Sequence, residues 1–203
     1  MVPVLLAAIA VHGSLPPFTS SIARVTRAEV KYSYRAGCPV PPSQLRLIRL
    51  RYVGFDGKAH LGSIVVNAKV TTDVLAVFGF LYRQRFPIRQ MKPIDAYHGN
   101  DNASMAADNT SGFNCRYAVT TGPKAWSVHA YGEAIDVNPV ENPYLEAGKV
   151  LPPAGAAYAN RSHARPGMAL PTGVLVYAFD AAGWKWGGLW ASPDYQHFSL
   201  TGG

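Results

Sequence analysis

Two segments that lie far apart in the chain constrain it more than any other feature. Ser127-Val-His129-Ala-Tyr131-Gly132-Glu-Ala-Ile-Asp136 and Asp194-Tyr-Gln-His197-Phe198 each set an imidazole and a carboxylate a few residues apart. A fold that joins them gathers two imidazoles and a carboxylate, with a second carboxylate close by. That donor set is the one a hydrolytic zinc centre uses: three protein ligands, an open fourth position for water, and a base for the water's proton. On this reading His129, Asp136 and His197 hold one Zn2+ ion. Asp194, which follows Pro193 where a loop enters a strand, is placed to act as base without ligating the metal.

The local pattern around these residues is directional. Gly132 marks a tight turn, because glycine reaches backbone angles closed to other residues. Ala134 to Val137 then reads as a strand, and side chains alternate along a strand. Ile135 and Val137 therefore share one face while Asp136 points to the other. His197, between Gln196 and Phe198, is likewise set on the face opposite its neighbours. Taken singly, His12, His60, His98 and His163 read as structural or surface residues.

Three stretches organise the chain: a signal-like or disordered start over 1–20, an arm over 21–44, and a catalytic domain over 45–203. The arm is expected to hold a strand from Glu29 to Tyr34. Leu45 to Phe55 alternates Leu and Ile with Arg, the pattern of a half-buried strand, and Asp56-Gly57 turns it into Leu61–Val66 to make a hairpin. Asn67 caps a helix from Val70 to Arg85, whose stripe is Val70, Val74, Val77, Phe78, Leu81 and Tyr82, and Phe86-Pro87 ends it. A short strand is expected over Pro93–Tyr97, then a long polar loop over 98–126 that walls a cleft. A Pro/Asn-rich loop to Pro153, a short helix over 154–161 and a helix from Gly173 to Ala182 follow. Val174, Tyr177 and Ala178 are expected to form the buried face of the last helix.

With 48% hydrophobic and 15% charged residues in 203, the chain is long enough for one well-packed core. The 19 glycines and 16 prolines call for many turns. The net charge of +7 favours an anionic partner. Nucleic acid is set aside, since the cations are scattered and no nucleic-acid motif is present. Val2 to Val11 is apolar but too short to span a bilayer, and it reads as the core of a secretory signal or a weak anchor. Cys38 and Cys115 have no CxxC spacing and read either as a bridge, which export would favour, or as two buried thiols.

Ser127, His129, Gly132, Ala134 and Asp136, followed by Asp194 and His197, resemble the zinc D,D-carboxypeptidase and L-alanyl-D-glutamate peptidase family (peptidase family M15). The wider text Asp108–Arg116, Asn138–Tyr144 and Trp184–Trp190 is similar to its VanY-like, extracellular bacterial subgroup. The resemblance implies an α+β fold of the Hedgehog/D,D-peptidase type, with a small antiparallel sheet carrying one zinc ion. It implies a secreted, cell-wall-associated monomer that hydrolyses a peptide bond in peptidoglycan stem peptides, with anionic wall polymers as further partners. The alternatives are a non-catalytic wall-binding module on the same fold and a D-Ala-D-Ala dipeptidase. Family members carry an upstream Arg that polarises the scissile carbonyl, but here the comparable segment Asp95–Asn100 has His98 at that place. Arg116 is the substitute, since a guanidinium suits an oxyanion or a carboxylate; an ordinary ion pair is the competing reading. Ser127 contacts substrate or stabilises its turn, while Tyr131 and Trp186 line the cleft or pack.

Overall fold

The long Leu/Ile/Arg run and its Asp-Gly turn do form a hairpin, and the rest of the chain is built around it. A computed structural model describes residues 14–119 and 123–202, so the apolar run Val2–Val11 and His12 lie outside the described residues. Strands β1 (Ser20–Arg24), β2 (Leu45–Val53) and β3 (Ala59–Asn67) make an antiparallel sheet in that order, with Ile48 opposite Ile64 and Leu45 opposite Asn67. β2 is central and covered on both sides. Ile48 and Leu50 face the main core, and Leu45 and Leu47 face a smaller cluster with Val30, Val40, Val65 and Phe113 beneath the arm.

Helix α1 (Thr71–Arg83) crosses the main-core face of this sheet. All six residues of its expected stripe are buried, each contributing roughly 1.5–3 kcal/mol of transfer free energy at most. Asn67 caps not α1 itself but the short 3-10 turn Ala68–Val70 that leads into it, accepting from Lys69 N at 3.2 Å. The parallel pair β4 (Gln90–Met91) and β5 (Asn109–Thr110) is linked through helix α2 (Asp101–Ala106). A second antiparallel sheet has the order β6 (Ala134–Asp136), β10 (His197–Ser199), β9 (Lys185–Trp186). Strands β7 (Tyr144–Glu146) and β8 (Lys149–Leu151) form a hairpin, and α3 (Val174–Asp180) packs on α1. The architecture is mixed helix and small sheets, in keeping with an α+β class. Among the described residues no helix is long and apolar enough to cross a membrane.

Several local expectations are corrected. Glu29–Tyr34 is a run of turns, because Thr26 and Glu29 bond reciprocally: Thr26 N donates to Glu29 Oε2 at 2.8 Å and Glu29 N to Thr26 Oγ1 at 3.3 Å. Pro93–Tyr97 holds a 3-10 turn over Ile94–Tyr97, not a strand. The segment 98–126 is not structureless: Asn100 caps α2 by accepting from Ala103 N at 3.0 Å, and β5 follows. The loop before Pro153 contains the β7–β8 hairpin, and 154–161 holds a 3-10 turn over Pro153–Tyr158. On α3 the buried residues are Leu175, Ala178 and Phe179, while Val174 and Tyr177 are exposed. The stripe runs one residue later than expected, because Phe179 stacks on Phe198 with ring centres 4.1 Å apart and sets the helix rotation.

Candidate metal centre

His129 enters the site on a 3-10 turn, Val128–Tyr131, capped by Ser127 Oγ, which accepts from His129 N at 3.3 Å. The turn closes on Gly132 at φ +69, and a Cβ there would stand 2.7 Å from Asn67 N. Only glycine satisfies both conditions. Asn67, at the end of β3, holds the turn from outside: its N donates to Gly132 O at 2.8 Å and its Nδ2 to Tyr131 O at 3.0 Å. The chain then runs directly into β6, where Ile135 is wholly buried in the core and Asp136 points the other way.

Asp136 and His197 are cross-strand partners on adjacent strands, so their side chains project from the same face of the sheet. His129 meets them there. Its Nε2 lies 3.1 Å from His197 Nδ1 and 3.2 Å from Asp136 Oδ2, and His197 Nδ1 lies 3.2 Å from Asp136 Oδ1. One donor atom from each of the three falls within 4.8 Å of the others, and all three residues are buried. Tetrahedral zinc with bonds of about 2.0–2.1 Å separates neighbouring donors by about 3.3 Å. The observed spacings fit such an ion. His129 Nδ1 lies 2.7 Å from the Gly112 carbonyl. A carbonyl only accepts, so Nδ1 carries the proton and the Nε2 lone pair faces the cluster.

Electrostatics follow from this crowding. Burial works against charge on both His129 and Asp136, but each stabilises the other's charged form. The His129 imidazole is held above its ordinary value and the Asp136 carboxyl, facing two imidazoles, far below the usual carboxylate range. Asp194 sits where β7 meets the last loop, bridged to Tyr144, and its Oδ1 is buried with no hydrogen-bond partner among the described residues. Burial first, and the Asp136 charge second, push its carboxyl up to about 7. A buried carboxylate without a partner is costly, so this one is poised to take a proton.

The remaining expected residues fall into two groups. Arg116 is a quarter exposed, pairs through Nε with Asp101 Oδ2 at 3.0 Å, and its charge is felt at both His129 and Asp194. Tyr131 is partly exposed beside the turn. The Ser127 hydroxyl caps the turn. His98, in a left-handed conformation, is exposed and stands edge-on to Tyr32 of the arm at 4.8 Å. No hydrogen bond or ring contact joins it to the cluster among the described residues. Of the two readings for Trp186 the structure shows packing: it is buried in the main core, its ring 6.5 Å from Phe198 and its Nε1 bonded to Tyr195 O, on the face of β10 opposite His197. Trp190 is the tryptophan that flanks the centre, with its ring 5.2 Å from that of His197. Sequence reading missed Trp190 and Gly112, which touch the imidazoles of the cluster. Only the pairing of β9 with β10 could have separated Trp186 from Trp190.

A model of the D-alanyl-D-alanine carboxypeptidase family matches residues 121–200, less than half of the chain but the part that holds His129, Asp136, Asp194 and His197. The match supports peptidase family M15. No curated protein and no solved structure matches the chain.

Proposed function

We propose that this chain is a secreted zinc peptidase that hydrolyses a peptide bond in the stem peptides of bacterial peptidoglycan, of the D-Ala-D-Ala carboxypeptidase or L-Ala-D-Glu endopeptidase type. The observation that carries this reading is the convergence of His129, Asp136 and His197 at 3.1–3.2 Å spacings beside the desolvated Asp194. The family match supports the substrate class. The disulfide Cys38–Cys115 fits an oxidising compartment.

His129 Nε2, His197 Nδ1 and an Asp136 oxygen would hold the ion, which when bound supplies Lewis-acid polarisation and water activation. The chain's own residues do the rest. Gly112 fixes the His129 tautomer. Asp194, whose proton affinity lies near neutrality, accepts a proton from the attacking water and returns it to the leaving amine, so the proton count closes within one turnover. Arg116 offers its fork of donors to the oxygen on which charge develops or to a substrate carboxylate. Trp190 and Tyr131 border the approach, and the residues of 45–203 act as one catalytic domain.

The test is mass spectrometry of stem-peptide digests with the zinc-loaded and the chelator-treated protein. A new cleavage product that appears only with zinc is expected. Equal cleavage without the metal, or none with it, would sink the reading.

A further inference from the structure

We propose that Arg161 is a positioning residue for Asp194, holding in place the main chain that carries its carboxylate. The part Asp194 plays rests on the peptidase reading above; the way it is held rests on hydrogen bonds and packing alone. Two of the three cluster residues sit in regular pairing: Asp136 and His197 are ladder partners, and Asp136 also exchanges backbone bonds with Ser111 at 2.9 and 3.0 Å. Asp194 lies instead in the loop before β10, and its Oδ1 is buried without a hydrogen-bond partner among the described residues. The direction of its side chain is therefore set in large part by its backbone. On one side Asp194 N donates to Gly187 O at 3.0 Å. On the other the 142–145 segment holds its two neighbours: Leu145 N donates to Pro193 O at 2.8 Å, and Tyr195 N to Pro143 O at 3.4 Å.

Arg161 fastens both partners in that contact. Its Nη1 donates to Glu141 O at 2.7 Å and to Tyr158 O at 3.1 Å, and its Nη2 to Asn142 Oδ1 at 2.9 Å and to Ala169 O at 2.6 Å. Nε makes no bond, so the grip is that of the two Nη groups. Asn142 is wholly buried and passes the hold on, its Nδ2 donating to Val137 O at 3.0 Å and to Gly167 O at 2.9 Å. The same guanidinium lies over the Tyr195 ring, 4.5 Å from its centre. Trp186 Nε1 adds a bond to Tyr195 O at 2.9 Å. One planar cation thus secures the start of the 142–145 segment and covers the residue next to Asp194. An ammonium would not reproduce this, since it has fewer donors than the four acceptors here and no planar face.

Arg161→Lys in the full-length, zinc-loaded protein tests the assignment. The Trp186 indole signal and the backbone amides of Asp194 and Tyr195, followed by nitrogen-15 NMR (indole assigned with Trp186→Phe), report on this main chain directly. All three should shift, and the two amides should exchange with water about tenfold faster, as local opening becomes easier. Zinc should stay at one per chain with unchanged affinity, because the ligands keep their own pairing. Stem-peptide kcat should fall about 10- to 100-fold with KM little changed, the mark of a misplaced reacting group. Tyr195→Leu, which removes the ring under the guanidinium, should act in the same direction, and the double variant should be no worse than Arg161→Lys alone. Should Arg161→Lys not fold, Tyr195→Leu decides on the same signals. Arg165→Lys, in the same loop but set over Tyr158, should leave the signals and kcat at wild-type values. Unchanged Asp194 and Tyr195 amides, zinc lost in step with activity, equal losses in Arg165→Lys, or losses that multiply in the double variant would overturn the proposal. If the zinc-loaded wild type cleaves no stem peptide, the peptidase reading fails alone, and the NMR signals still decide whether Arg161 holds the Asp194 main chain.

Discussion

His129 donates its Nδ1 proton to the carbonyl of Gly112 at 2.7 Å, and that single bond decides which imidazole nitrogen faces the cluster. Gly112 reaches this position because Phe113 N bonds Val65 O on β3, and a Cβ at residue 112 would stand 2.5 Å from that same oxygen. Gly112→Ala must therefore displace the carbonyl. Zinc affinity, measured by competition with a chromophoric chelator, is expected to weaken about 10- to 100-fold, the usual cost of losing an outer-shell partner. Unchanged affinity would mean that the tautomer is set elsewhere.

Removing a ligand should be more severe. His129→Ala and His197→Ala are each expected to abolish stoichiometric zinc binding and stem-peptide cleavage, because two remaining donors cannot complete the centre. Metal analysis by mass spectrometry, alongside circular dichroism to confirm folding, checks this. Retention of one zinc per chain in either variant would remove that residue from the ligand set.

Asp194 should separate metal binding from turnover. Asp194→Ala is expected to keep zinc but lose about 10²- to 10⁴-fold in kcat, the range for a missing acid–base group. A variant that loses its zinc instead would show Asp194 to be a ligand.

Away from the site, Glu141 is buried against Asp108, with Arg89 across the pair. Burial and then the Asp108 contact raise its carboxyl to about 8 from an ordinary 4.5. The folded state therefore holds a proton that the unfolded chain releases, so the Glu141 contribution to stability is complete below about 4.5 and is lost as pH rises towards 8. The limiting slope is about 1.4 kcal/mol per pH unit. Denaturation of wild type and Glu141→Gln from pH 5 to 9 should show wild type falling relative to the variant. Parallel profiles would show that Glu141 ionises normally.

The Cys38–Cys115 disulfide closes a loop with a sequence separation of 77 and ties the arm to the segment that holds Arg116. Paired serine replacement is expected to lower stability by about 2–5 kcal/mol. Urea denaturation of the oxidised wild type and the double variant measures it, and a difference near zero would mean that the packing of Val30, Val40 and Phe113 alone holds the arm.

Where the sequence is periodic, it is legible. The six-residue stripe of α1 and the alternation in β2 and β3 could be read directly, because burial of one face repeats at the helical or strand period. Elements held by single local bonds could not. The β7–β8 turn puts Ala147 at φ +46 and Gly148 at φ +78, a hairpin turn in which Ala takes the place usually held by Asn or Asp. The 29–34 turns depend on the Thr26–Glu29 bonds, which compete with strand formation only once they are made. Tryptophan placement was likewise out of reach, since Trp186 and Trp190 differ only in which face of β10 they meet.

The chain alone determined which side chains are able to ligate and on which face of their strands they stand, since alternation along β6 and β10 is a property of the backbone. Only the tertiary structure decided their partners: the Gly112 carbonyl that orients His129 and the unpartnered pocket that raises Asp194. Those relationships join residues distant in sequence through packing and desolvation, and neither is encoded in local spacing.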